Sequence, residues 1–381
     1  MKKIKIFIVF GTRPEAIKMA PICIEAKNSN RISSIVCVTA QHREMLDQVM
    51  ELFDIKPDID LNIMNPDQDL FDISSNILLN LRKELIKHQP DLVLVHGDTT
   101  TSMIASMASF YLGIKVGHVE AGLRTYNIKA PFPEEFNRRA VSMIAEYHFA
   151  PTKISKNNLL SEKVDNNKIF VTGNSVIDAL FIISEKIKNN DLLSNKLNKK
   201  LCKILDFDIK SNNYILITGH RRESFGTGFL NICKAIKKLS EKYQNFYFIY
   251  PVHLNPNVRD IVHEMLGKEK NIILTDPLKY EPFIFLIQHC YLILTDSGGI
   301  QEEAPSIGKP VLVMRNETER PEAIQAGTVK LVGSKYNSIV KNVSLLIDDK
   351  KSYKAMANSK NPYGDGKTSS KIIDIVISEM S

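Results

Sequence analysis

The strongest constraint on this chain is a repeated alternation. Short apolar runs rich in Ile, Val, Leu and Phe recur at 4–10, 34–38, 91–96, 115–119, 147–150 and 169–172. They resume at 214–218, 246–250, 272–274, 291–295, 310–314 and 329–331. Longer stretches of helical pattern separate them. Runs that are apolar throughout suit strands buried on both faces, and the intervening helices are what covers those faces. The chain is therefore predicted to be α/β with parallel sheets. At roughly 100–200 residues per domain, its 381 residues suggest two or three domains. Between 174 and 213 the sequence turns polar and rich in Lys and Asn, so the break is placed there, giving 1–174 and 175–365. Each half is expected to be a doubly wound, Rossmann-like unit. The run 186–200 reads as a solvated segment. The end, 368–380, reads as an amphipathic helix with Ile372, Ile373, Ile375, Val376 and Met380 apolar.

Composition narrows the function classes. Apolar residues are 44% and charged residues 24%, which excludes disorder and collagen-like repeats as the dominant state. The longest apolar runs fall far short of the ~18 residues of a membrane span. The run ending at Phe10 leads straight into Gly11-Thr12-Arg13-Pro14 with no small-residue cleavage site, so a soluble, cytoplasmic protein is expected. The five cysteines form no CxxC pair, which argues against a cysteine zinc site or disulfide framework. The net charge of +7 fits an anionic small ligand, and no basic block marks a nucleic-acid surface.

In open α/β sheets the ligand lies beyond the carboxyl ends of the strands, so the residues there matter most. The first strand ends at Gly11-Thr12-Arg13-Pro14-Glu15, the third at His96-Gly97-Asp98-Thr99, and the fourth at His118-Val119-Glu120-Ala121-Gly122. In the second half, strand ends read Gly219-His220-Arg221-Arg222 and Asp296-Ser297-Gly298-Gly299. Arg13 and Lys18 beside a helix N-terminus could hold an anion, although a plain strand–helix turn reads the same way. Ser297 is expected to cap a helix, with Gly298 and Gly299 letting a phosphate approach the backbone.

Asp98, Glu120 and Glu134 are candidate acid/base carboxylates, because crowding and burial spread carboxylate pKa values. Asp98 before three threonines is also a good helix cap. Glu120 lies in an apolar stretch that would bury it. His220 sits among charges at a strand end, which favours a wet site. His118 and His253 read as structural. The pairs His96/Asp98 and His118/Glu120 could each face one side of a strand end, but no metal-ligand triad stands out. No GxGxxG follows the first strand, which argues against the usual nicotinamide or flavin binding.

The motifs taken together resemble the non-hydrolysing UDP-N-acetylglucosamine 2-epimerases nearly end to end. They include GTRPEAIKMAP at 11–21, TAQHREMLDQV at 39–49, VLVHGDTTT at 93–101, GHVEAGLRT at 117–125 and PFPEEFNRR at 131–139. They continue with TGNSVIDAL at 172–180, TGHRRESFG at 218–226, YPVHLNPNVR at 250–259, LTDSGGIQEEAPS at 294–306, ERPEA at 319–323 and NPYGDG at 361–366. The resemblance implies a GT-B-like fold, two Rossmann-like domains facing a cleft, with helix 366–381 crossing back onto the first. It implies a homodimer needing no metal or other cofactor, acting reversibly on UDP-N-acetylglucosamine to give UDP-N-acetylmannosamine by loss and re-addition of UDP. It makes Asp98, Glu120 and Glu134 the acid/base groups and places His220 on the diphosphate. It puts Arg13, Lys18 and Arg320 on the nucleotide sugar, Ser297, Gly298 and Gly299 at the phosphates, and Glu303 on the ribose. Leu278 and Phe283 fall in the uracil-binding stretch, where Leu278 departs from a polar residue. Gln41 and His42 mark a possible site for an activating second UDP-N-acetylglucosamine. Competing readings are a hydrolysing epimerase, an epimerase of a 2,3-diacetamido uronic acid, and a silent nucleotide-sugar binder.

Overall fold

The computed structural model describes residues 3–40, 43–64, 68–219, 226–318 and 320–381. The expectations for Gln41, His42 and His220 lie outside them. The chain divides into two compact units, Met1–Ala179 with Tyr363–Ser381, and Leu180–Pro362. Each is built on a parallel sheet with alternating helices, the α/β architecture the apolar runs predict.

The first unit holds seven strands: β1 (Ile4–Phe10), β2 (Ile32–Val38), β3 (Ile59–Asp60), β4 (Leu92–His96), β5 (Lys115–Val119), β6 (Tyr147–Ala150) and β7 (Ile169–Val171). Their order is β3-β2-β1-β4-β5-β6-β7, and every pair is parallel. The centre, β1, is IKIFIVF, and Ile6 to Phe10 are wholly buried, as a strand covered on both faces requires. The short edge strand β3 has no counterpart among the predicted runs. Two residues are too few to show a pattern.

The second unit holds β8 (Asn213–Thr218), β9 (Phe246–Pro251), β10 (Ile272–Thr275), β11 (Leu292–Thr295), β12 (Val311–Val313) and β13 (Val329–Leu331). Their order is β10-β9-β8-β11-β12-β13, again parallel. The winding reverses between β1 and β4 in the first sheet and between β8 and β11 in the second. A doubly wound sheet opens a crevice at such a point.

The Lys- and Asn-rich run expected to be solvated folds largely as the helix Asp191–Leu205. Its Leu197, Leu201 and Leu205, spaced by four, are buried on one face while the lysines cover the other. The terminal helix Thr368–Met380 packs on the helix Arg13–Asn28, burying Ile372, Ile373 and Val376. Its N-cap residue, Lys367, makes no side-chain cap bond. Asp178 serves instead, accepting from the backbone N–H of Thr368 (3.2 Å) and Ser369 (2.7 Å).

Candidate active site

The site in the first unit begins where β1 gives way to the helix Arg13–Asn28. Gly11 is required there by close approach: a Cβ would lie 2.0 Å from Thr39 Oγ1 and 2.7 Å from Thr101 Oγ1. Thr12 is the N-cap, and Glu15 closes a reciprocal capping box with it. Glu15 is buried and also accepts from the hydroxyls of Thr99 (2.6 Å) and Ser102 (3.1 Å), so one carboxylate joins the ends of two helices. Burial pushes its carboxyl above the ordinary range, against the pull of these donors. Arg13 and Lys18 lie on the helix so fixed.

Asp98 follows β4. It is not the helix cap; Thr99 is, accepting from the Ser102 N–H, and this leaves the Asp98 carboxylate for other work. The carboxylate takes a 2.5 Å ion pair from Arg138, while Asn137 donates to the Asp98 backbone oxygen at 2.9 Å. Both donors sit on the helix Glu134–Ile144. Glu134 lies one turn before them on the same face. Its Oε2 is buried with no hydrogen-bond partner, an acceptor that a substrate group or a proton could satisfy. Burial raises the Asp98 carboxyl, Arg138 opposes, and nearby Glu120 raises it further.

Glu120 follows β5 with φ of 63°, a left-handed conformation that costs a non-glycine residue about 1–3 kcal/mol. Strain of this kind persists where surrounding contacts over-determine the backbone. Lys18 Nζ forms a short ion pair with Glu120 Oε1, and Asn174 Nδ2 donates to the same oxygen at 2.7 Å. Oε2 lies 3.5 Å from His96 Nε2. Burial pushes His96 down to about 4, so its ring is neutral at physiological pH. His118 is buried and engaged with the backbone. Its Nε2 sits 2.8 Å from the carbonyl of Gly97, in the turn that presents Asp98. Among the described residues, no three His, Cys, Asp or Glu side chains gather as metal ligands would.

In the second unit, Ser297 stands at the N-cap of the helix Gly298–Glu303 but makes no side-chain cap bond, contrary to expectation. Its own N–H donates to Thr295 Oγ1 at 2.9 Å. Glu302 is buried and receives Arg320 Nε at 2.6 Å. The guanidinium lies against Gly298, where a Cβ would come within 2.6 Å of Nη1. Glu303 accepts from the Tyr280 hydroxyl at 2.7 Å. Tyr280 opens the helix Tyr280–His289, with Leu278 just before it and Phe283 one turn on.

These two sites invite comparison with known proteins. The family profile described as UDP-N-acetylglucosamine 2-epimerase matches residues 24–377. The UDP-N-acetylglucosamine 2-epimerase of Escherichia coli K12 is 54% identical over 370 residues, 97% of each chain. The chain belongs to the UDP-N-acetylglucosamine 2-epimerase family. Among solved structures, the Neisseria meningitidis UDP-GlcNAc 2-epimerase bound to UDP-GlcNAc is 52% identical with a TM-score of 0.91, covering 98% of this chain and 100% of that one. The Methanocaldococcus jannaschii UDP-GlcNAc 2-epimerase in complex with UDP-GlcNAc and UDP is 33% identical with a TM-score of 0.82, covering 98% and 100%. The fold is therefore GT-B-like, as these relatives' likeness shows. No helix among the described residues is long and apolar enough to cross a membrane.

Within this family member, the structure brings Asp98, Glu120 and Lys18 together in the first unit, with Glu134 on the helix that supplies Arg138. In the second it brings Glu303 to Tyr280, on the helix that also carries Phe283, and Arg320 against Gly298. Lys18, expected on the nucleotide sugar, has its ammonium on Glu120. Sequence reasoning assigns no role to Glu15, Arg138, Asn174 and Tyr280. Glu15 was signalled by the Thr-x-x-Glu spacing of a capping box. Arg138 and Asn174 lie inside quoted motifs, but their partners are distant in sequence and no spacing rule reaches them.

Proposed function

We propose that this chain interconverts UDP-N-acetylglucosamine and UDP-N-acetylmannosamine without net hydrolysis, by elimination and re-addition of UDP. The observation that carries the proposal is the pair of carboxylates, half-buried Asp98 and buried Glu120, at neighbouring strand ends of one sheet, each with a cationic partner. The bound UDP-GlcNAc and UDP named for the relatives above support the substrate.

The hydrogen at sugar carbon 2 has no adjacent carbonyl and is not acidic. As the bond from carbon 1 to the UDP oxygen breaks, positive charge develops at carbon 1. Carbon 2 then yields its proton to a carboxylate, leaving a 2-acetamidoglucal and UDP. In the return step the UDP oxygen bonds carbon 1 while a carboxylic acid protonates carbon 2 from the other face. Asp98, Glu120 and Glu134 are the acid/base groups of this scheme, and His220 assists the leaving diphosphate. Ser297, Gly298 and Gly299 would face the phosphates, Arg13 and Arg320 the nucleotide sugar, Glu303 the ribose, and the segment of Leu278 and Phe283 the uracil. We carry a homodimeric, cytoplasmic enzyme supplying surface polysaccharide synthesis as part of the same reading, with Gln41 and His42 at an effector site.

Proton NMR of UDP-N-acetylglucosamine with the purified protein in heavy water tests it. The expected product is UDP-N-acetylmannosamine carrying deuterium at carbon 2. Free N-acetylmannosamine with UDP would replace this reading with the hydrolysing one. No change in the sugar would redirect the search to modified UDP sugars.

A further inference from the structure

Asn174 ties Glu120 to the segment by which the chain leaves the first unit, and its backbone and side-chain polar groups are engaged. Its backbone N–H donates to the Tyr363 carbonyl at 2.7 Å. Its Oδ1 accepts from the Val176 N–H at 3.1 Å, capping the helix Ser175–Lys188. That bond settles which end of the amide is oxygen, because the opposite assignment would set donor against donor. Nδ2 is then the atom that donates to Glu120 Oε1 at 2.7 Å.

The surroundings hold this arrangement tightly. The chain leaves the first unit after Ala179 and re-enters it at Tyr363, so Asn174 and Tyr363 join the outgoing and returning segments. Next to them, Gly173 has φ of 95°, and a Cβ there would lie 2.7 Å from Thr368 Oγ1 and 3.0 Å from the Tyr363 carbonyl. Thr368 Oγ1 donates to the Thr172 carbonyl at 3.2 Å, and Asp178 receives the first N–H groups of the terminal helix. The amide that meets Glu120 is thus part of a clasp between two distant chain segments, not the tip of a mobile side chain.

We propose that Asn174 is a positioning residue, which through this clasp fixes the orientation of the Glu120 carboxylate for proton transfer at carbon 2. The inference rests on the proposed role of Glu120. Lys18 supplies charge to Glu120 Oε1, but an ammonium is a point charge with rotatable donors and sets no fixed donor direction. A second, short donor on the same oxygen defines it.

The discriminating variant is Asn174→Asp. It keeps an oxygen to cap Val176 and keeps the backbone bond to Tyr363, but it exchanges the donor for a carboxylate facing Glu120. Two carboxylates in contact hold a shared proton and raise one pKa. Expected is a fall in kcat of about tenfold or more at neutral pH with KM little changed, and an acid limb of the kcat profile displaced to higher pH. The melting temperature should fall at neutral pH and recover towards that of wild type as pH is lowered, whereas Asn174→Ala, which also loses the cap, should lose kcat and should lose melting temperature at every pH. An Asn174→Asp enzyme with wild-type kcat and pH profile would overturn the proposal. So would lower turnover with an unmoved pH profile and a melting temperature lowered at every pH, since that is what a helix cap alone predicts. Wild-type protein that exchanges no deuterium into carbon 2 would remove the role of Glu120 and this inference with it. Exchange by the wild type, with an unaffected variant, would remove the inference alone.

Discussion

The two crevices of this chain are built alike and equipped differently. Each lies where a parallel sheet reverses its winding, β1 against β4 in one unit and β8 against β11 in the other. Each keeps a carboxylate on an arginine or lysine. In the second unit Glu302 is buried and held by Arg320, and the pair is spent on structure, fixing the guanidinium against Gly298. In the first unit Glu120 lies near enough to Asp98 to raise that carboxyl's proton affinity, and their cations come from helices remote in sequence. The lesson is that one topology offers two kinds of site. In the proposed reading, a carboxylate locked by an arginine organises a binding surface. Two carboxylates in each other's field can take up and release protons.

The largest expected effect breaks or keeps this contrast directly. Asp98→Asn or Glu120→Gln should lower turnover by about two orders of magnitude or more, with UDP affinity by calorimetry retained. Near-normal turnover in either variant would remove that residue from the chemistry. Next comes Gly298→Ala, whose methyl group would press on a guanidinium pinned by Glu302. It should raise KM for the nucleotide sugar about tenfold, a change of about 1.4 kcal/mol, and destabilise the fold by about 1–3 kcal/mol in urea melts. If kcat collapsed while KM held, the second crevice would share in the chemistry and the contrast would fail.

A smaller effect belongs to the clasp of the first unit. Asp178→Ala removes the acceptor at the terminal helix and should cost about 0.5–2 kcal/mol, as loss of an N-cap does. Burial holds Asp178 above its ordinary value of 3.8, so the folded chain binds this proton more tightly than the unfolded chain. The stability linked to it is fullest below 3.8 and is lost as pH rises through the raised folded value. The wild-type advantage over Asp178→Ala should therefore narrow as pH rises; a gap that widens would contradict the assignment. The smallest effect is an absence. The thiols of Cys23, Cys233 and Cys290 are pushed up to about 12 by burial, and Cys37 is raised likewise. Alkylation of the native protein should reach Cys202 alone, by mass spectrometry, and leave turnover unchanged.

Much of the fold was legible in advance. The apolar runs gave the parallel strands, because a strand buried on both faces must be apolar throughout. The strand β3 was not legible, and the helix Asp191–Leu205 was obscured by lysines that mask its leucine spacing. Among the site residues, Asp98 and Glu120 were visible as charges at strand ends, where open sheets bind ligands. The destination of Lys18 was not visible, because nothing in the sequence near it points to a carboxylate 102 positions away.

The sequence by itself determined the two parallel sheets, the strand ends that carry ionisable groups, and the family. These follow from local pattern and from motifs read in order. Only the tertiary structure decided which charges meet: Arg138 with Asp98, Lys18 and Asn174 with Glu120, Arg320 with Glu302, and Asp178 with the terminal helix. The reason is physical. Partners in a doubly wound sheet are set by the order of strands and the crossing of helices, and local sequence carries no information about either distance.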